Sequence, residues 1–234
     1  MAKTNVKTTL LAAGALIAVA WCAAADTADG GGVAALAPDV PPGSYQLDRS
    51  HASLIFRVDH LGFSNYTARF TRFDAELDFD PENPAAASLT ATVDATSLET
   101  DFPFPEQVDF NAQLQGEEWL DTADHPKMTY RSRKVVLTGE NTARIDGELT
   151  LRGVTRPMVL EATFNGGYAG HPMDPNARIG FSAHGSLLRS DHGMSYGIPE
   201  AGSKMGVGDE VEVIIEAEFS GPALQGAATS EAEG

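Results

Sequence analysis

The residues of this chain that could do chemistry are its histidines and one serine in a glycine frame. His51, His60, His125, His171, His184 and His192 show neither H-E-x-x-H nor H-x-H spacing, so no metal site is built from local ligand spacing. Gly193-Met194-Ser195-Tyr196-Gly197 matches the letters of a nucleophile elbow. That elbow needs a strand before it, a helix after it and a histidine downstream. Here Ile198-Pro199 follows, and the last histidine of the chain, His192, lies upstream of Ser195. The segment therefore reads as a flexible loop, and no catalytic residue, cofactor or metal is assigned. Asn65-Tyr66-Thr67 has the letters of a glycosylation sequon and is read as chance. His60 is different, because it ends a run of alternating apolar residues. It is either a core histidine satisfied by a backbone carbonyl or by Ser64, or a polar anchor among the apolar walls of a ligand cavity. His51 admits the same two readings from a strand start.

The elements that would position these groups are strands. Ala52, Leu54, Phe56, Val58 and His60 occupy every second position, which places them on one face of a half-buried strand. Phe73, Ala75, Leu77 and Phe79 alternate with Asp74, Glu76, Asp78 and Asp80, giving one apolar and one anionic face. Between the two, His60-Leu61-Gly62-Phe63 begins a connection, and Ser64 to Arg69 is expected to form a short helical turn with Ser64 as N-cap. Ser88 to Thr96, Met128 to Leu137, Arg178 to Asp191 and Val211 to Phe219 repeat the strand pattern, with turn clusters such as Pro81-Glu82-Asn83-Pro84 between them. Residues from Ile145 to Phe164 read as a long hairpin turning at Gly153 to Pro157. Asn165 to Pro175 reads as a loop, and Glu106 to Trp119 is the one helix expected, with Phe110 and Leu114 four apart. The expectation is an all-β fold: an antiparallel eight-stranded barrel with one short helix, whose closure removes exposed strand edges.

The ends read differently. Lys3 and Lys7, the apolar run Leu10 to Trp21 and Ala23-Ala24-Ala25 form a signal-peptide pattern with cleavage expected after Ala25; Ala18-Val19-Ala20 is a second possible cut. The run is too short for an ordinary membrane span, and Trp21 before Cys22 spoils a lipobox, so no membrane anchor is expected. Cleavage would remove the only cysteine and leave the fold to be held by its core alone. It would also make a formal charge of −17 two units more negative, which argues against nucleic acid and bare anionic membrane as partners. Residues 26–42 read as a flexible linker, 43–220 as the barrel and 221–234 as a disordered tail. The core of roughly 175 residues suits one domain.

The pattern Y-x-L-D-x-S-H-A-x-L-x-F-x-V-x-H-L-G-F-S from Tyr45, followed by F-x-x-F-D-A-E-L-x-F-D, resembles the YceI-like family. The resemblance continues as G-E-L-T-L-R-G-V-T-R-P from Gly147 and G-F-S-A-H-G-S-L-L-R-S-D from Gly180, and covers about Gly43 to Ser220. It departs at Gln113 to Leu120, where the family's H-L-R-S-x-D-F-L becomes QLQGEEWL without the histidine and arginine, and at His192-Gly193 in place of Phe-Gly. The resemblance implies a lipocalin-like barrel that binds a polyisoprenoid lipid, either a polyprenyl carrier or an isoprenoid quinone, in the periplasm. It implies a cavity lined by Leu54, Phe56, Val58, Phe63, Phe70, Phe73, Ala75, Leu77 and Phe181, with His60 and His51 as polar anchors. Small residues at Ala75 and Gly185 would leave it room. A homodimer is compatible with this. Two other readings stay open: an enzyme or ligand-processing barrel using loop histidines, and a stress-associated barrel filled by its own side chains.

Overall fold

In the computed structural model residues 39–224 are described. The signal-peptide pattern, most of the linker and most of the tail lie outside them. The strands are β1 (Gly43–His60), β2 (Ser64–Phe70), β3 (Phe73–Phe79), β4 (Ser88–Asp94), β5 (Leu98–Glu99), β6 (Lys127–Leu137), β7 (Thr142–Leu151), β8 (Val154–Tyr168), β9 (Asn176–Leu188) and β10 (Val207–Ala223). Among the described residues the one α-helix, α1, is Phe110–Gln115. Neighbours run antiparallel in the order β10-β9-β8-β7-β6-β4-β3-β1, and β1 pairs back onto β10 to close the ring. The barrel thus has eight staves, because β2 and β5 continue β3 and β4 past local breaks.

Those breaks have a local cause. The register of β1 slips between Leu47 and Ala52, so its first half pairs β3 and its second half pairs β2. A bulge of this kind bends a strand and raises its twist. Opposite it, Thr71 and Arg72 interrupt β2 and β3; Thr71 N–H donates to Ser97 O (3.1 Å) and Arg72 N–H to Ser97 Oγ (3.0 Å). Ser64 to Arg69 is therefore a strand and not the expected helical turn. The register Leu54↔Phe70 to His60↔Ser64 gives each of its residues a cross-strand partner, which a helical turn would forfeit.

Five other boundaries differ from the sequence reading. The helix keeps only Phe110–Gln115, capped by the Asp109 carboxylate, which accepts from Ala112 N–H at 2.9 Å. The β7–β8 hairpin turns on two residues, Arg152 and Gly153, at φ 49° and 71°. That is the two-residue geometry matching strand twist, and it leaves Pro157 inside β8. Strand β8 runs to Tyr168, shortening the loop expected from Asn165. Val40 is buried in the core and Tyr45 Oη donates to Pro41 O, so residues 40–42 belong to the fold; β10 likewise continues through Ala223.

The barrel has two unlike ends. One is plugged by aromatic rings: Phe79 stacks on Phe164 at 6.0 Å, Phe181 meets Phe164 at 5.4 Å and Phe219 at 6.1 Å, and Tyr45 edges onto Phe79 at 6.4 Å. Such rings contribute packing beyond their buried area. At the other end two chain segments fold across the opening. One, residues 100–126, carries α1 and is tied to β5 by Asn111, which accepts from Thr100 N–H (2.9 Å) and donates to Glu99 Oε1 (3.2 Å). The other is residues 189–206.

Candidate functional site: an apolar cavity in the barrel

Inward-facing alternation on eight staves ends in a cavity of about 640 Å³ that runs from the two cap segments into the barrel. Leu54, Phe56 and Val58 of β1 line it with Phe70, Phe73 and Ala75 of β2 and β3. Leu149 and Leu151 of β7 form the opposite wall, and Leu187 of β9 with Val211 and Val213 of β10 closes the ring on the other side of β1. Small side chains make the room: Ala75 pairs across the strands with Ala91, and both face the cavity. A second, smaller cavity of about 120 Å³ lies toward the plugged end, with Leu77, Phe164 and Phe181 in its wall. The two share Leu89, Leu160, Ile215, Ala217 and Phe219, so only this girdle separates them.

The expected lining residues divide accordingly. Leu54, Phe56, Val58, Phe70, Phe73 and Ala75 face the main cavity, and Leu77 and Phe181 face the smaller one. Phe63 does neither: it sits on the β1–β2 turn, 79% exposed. His60 lies at the cavity lip but is exposed, so it is neither a buried core histidine nor a buried anchor. His51 falls in the β1 bulge and points to the outer surface, where its Nδ1 lies 3.0 Å from Asp48 Oδ2. Gly185 makes no room for a ligand. A side chain there would meet Val159 O at 2.4 Å, so the space is taken by the β8 backbone.

The outer cluster of Asp48, His51 and Glu218 has metal-ligand composition. Its charge is met by Arg178 instead, whose Nη1 reaches Asp48 Oδ2 at 2.5 Å and Glu218 Oε2 at 3.9 Å. The Ser50 hydroxyl, Arg178 and His51 hold the Asp48 carboxyl well below the usual aspartate range. The bond to Asp48, helped by Glu218, raises His51 above its ordinary value. Inside the barrel, burial pushes the Tyr45 phenol up to about 12 and raises Tyr130 as well. Both remain neutral donors, on Pro41 O and Ile145 O respectively.

None of the loop histidines lines the cavity. His192 is buried with Nδ1 3.2 Å from Val154 O, beside the β7–β8 turn that His125 also touches. His171 lies in the β8–β9 loop at the plugged end, and His184 is on the outer wall. Ser195 is exposed in a loop preceded by a single 3-10 turn (Arg189–His192), without the strand–turn–helix context of a nucleophile elbow.

Besides His60 and Tyr66, the polar groups that reach the cavity at its capped end are two the sequence reading missed, Trp119 and Arg189. Arg189 is 3% exposed and donates to four backbone carbonyls: Nε to Gly208 O (2.8 Å), Nη1 to Met194 O and Tyr196 O (both 2.9 Å), Nη2 to Val207 O (2.8 Å). It thereby staples the 189–206 segment to the start of β10. Burial lowers its pKa, and the nearby Asp209 opposes that shift. Its guanidinium carbon lies 5.3 Å from the Trp119 ring centroid, so the two caps meet through a cation–π contact. The signal for Trp119 was its place in the segment that departs from the H-L-R-S-x-D-F-L pattern.

Comparison with known proteins places this geometry. The YceI-like domain model matches residues 45–219. The YceI protein of Escherichia coli is 33% identical over 178 residues, covering 74% of this chain and 85% of that protein. Among solved structures, the YCEI protein of Campylobacter jejuni superposes with a TM-score of 0.58 at 26% identity, over 70% of this chain and 90% of that one. A domain of Saccharophagus degradans, described as polyisoprenoid binding and implicated in plant cell wall breakdown, superposes at 0.55 with 14% identity, over 76% and 98%. The chain belongs to the YceI-like domain family.

Proposed function

We propose that this chain is a lipid-binding barrel that takes up one polyisoprenoid, a polyprenyl carrier or an isoprenoid quinone, and carries it through the periplasm. The observation that carries the reading is the 640 Å³ cavity with its almost wholly apolar wall. Its volume lies in the usual range for small-molecule sites, about 300–1,000 Å³. The description of the Saccharophagus domain as polyisoprenoid binding supports the ligand class. The signal-peptide pattern at Lys3 to Ala25 supports export. Burying ~25 prenyl carbons at ~0.8 kcal/mol each gives on the order of 20 kcal/mol gross. Ordering the tail and the loss of free translation must offset much of that, since non-covalent affinity saturates near such values. Affinity is then high and discrimination between tail lengths poor. Mass spectrometry of an organic extract of the protein purified from its native envelope tests this: an isoprenoid series in near-equimolar amount is expected, and an extract free of isoprenoids would contradict it.

A further inference from the structure

The cavity contains few polar groups; at its capped end they are the exposed His60, Tyr66, whose hydroxyl donates to Thr100 O, and the pair Trp119 and Arg189. The Trp119 indole lines the cavity, and its Nε1–H is buried with no hydrogen-bond partner among the described residues. A buried donor left unpaired is costly, so a donor that persists beside a cavity needs an explanation. Beside it stands Arg189, whose charge no carboxylate pairs within ion-pair distance among the described residues. Its nearest acid, Asp209, is engaged with Ser190 N–H (2.9 Å) and Oγ (2.7 Å). Four of the five guanidinium N–H groups are aimed at carbonyls, and the positive charge remains at the cavity lip. The corner is held by side-chain contacts from both caps. The Tyr196 ring packs edge-on to Trp119 at 5.5 Å, and Arg152 bridges the two caps through Gly193 O (2.7 Å) and Glu117 O (3.0 Å).

We propose that this corner is a head-group site, resting on the lipid-binding reading above. The ligand's head carries an oxygen acceptor, a quinone carbonyl or a prenyl phosphate oxygen, which accepts from Trp119 Nε1–H in the positive potential of Arg189. The tail then runs past Phe56 and Ala75 toward the aromatic plug. A ligand that ends in hydrocarbon leaves the indole donor unpaired and is bound by its tail alone.

The test is titration calorimetry of wild type and Trp119→Phe with three probes of matched isoprenoid tail: a quinone, a prenyl phosphate and the plain hydrocarbon. Phe keeps a ring against Arg189 and Tyr196 and deletes the N–H. The expected result is a loss of roughly tenfold in affinity for at least one oxygen-headed probe, with the hydrocarbon unchanged. Which of the two responds tells quinone from phosphate. Should Phe loosen the caps, seen as a lower melting temperature, benzothienylalanine at the same position keeps the indole shape without the donor and gives the same readout. An affinity ratio of headed to hydrocarbon probe that is the same in wild type and variant overturns the head-group site while leaving the cavity reading intact. Failure of all three probes to bind wild type would instead remove the lipid reading itself.

Discussion

His51 and His60 stand nine residues apart on β1, and neither is in the protein interior. The reason is the β1 bulge, which turns His51 outward onto Asp48 and Arg178, while His60 ends the strand at the open lip. The bulge pair gives a pH signature. His51 is raised above its ordinary 6.5, so its contribution is complete below that value and lost as pH rises through the folded pKa. Asp48 is lowered below 3.8, so its contribution is present above that value and lost as pH falls through the folded pKa. Thermal melts of His51→Gln against wild type should differ most between these limits and converge in alkali; the gap will be small, because exposed pairs contribute little. A gap independent of pH would show that the pair does not form. Phe63 gives a second prediction at this scale. It is exposed and lines neither cavity, so Phe63→Ser should leave co-purified lipid unchanged, by the same extract measurement.

The elements most legible in the sequence were those whose alternation is long and two-faced, such as β3, β7 and the second half of β1. Ser64 to Phe70 was not, because seven residues behind a Ser can be read with either period. Pairing with β1 decides the matter, and that pairing is a long-range fact. The hairpin was legible but its turn was placed late, since Val154 and Thr155 are good strand residues immediately after Gly153. In the structure Gly153 has φ 71°, and a side chain there would lie 3.0 Å from the His125 ring. Gly153→Val should therefore lower stability by about 1 kcal/mol or more while lipid content per folded protein stays unchanged. A melt equal to wild type would contradict the turn geometry. The site was half legible for the same reason. Leu54, Phe56, Val58, Phe70, Phe73 and Ala75 follow from periodicity with the family resemblance, whereas Trp119 and Arg189 acquire meaning only when two distant segments converge over the mouth.

At the scale of the whole molecule, the protein combines an end plugged by aromatic rings with an interior that its own side chains leave open. An apolar interior of about 640 Å³ left unfilled forgoes the dispersion contacts that its walls would otherwise make. An occupant should thus stabilise the fold markedly, and delipidated protein should melt well below the protein as purified. The most direct test of a lipid-holding interior is one variant, Ala75→Trp, read for melting temperature and co-purified lipid together. Ala75 faces the cavity across from Ala91, where an indole would occupy ligand space. Isoprenoid in the organic extract should fall sharply while the melting temperature holds near that of delipidated wild type. Overpacking of a filled core would instead cost about 1–3 kcal/mol. A variant that melts below delipidated wild type yet retains the full lipid load would contradict a lipid-holding cavity at this place in the barrel.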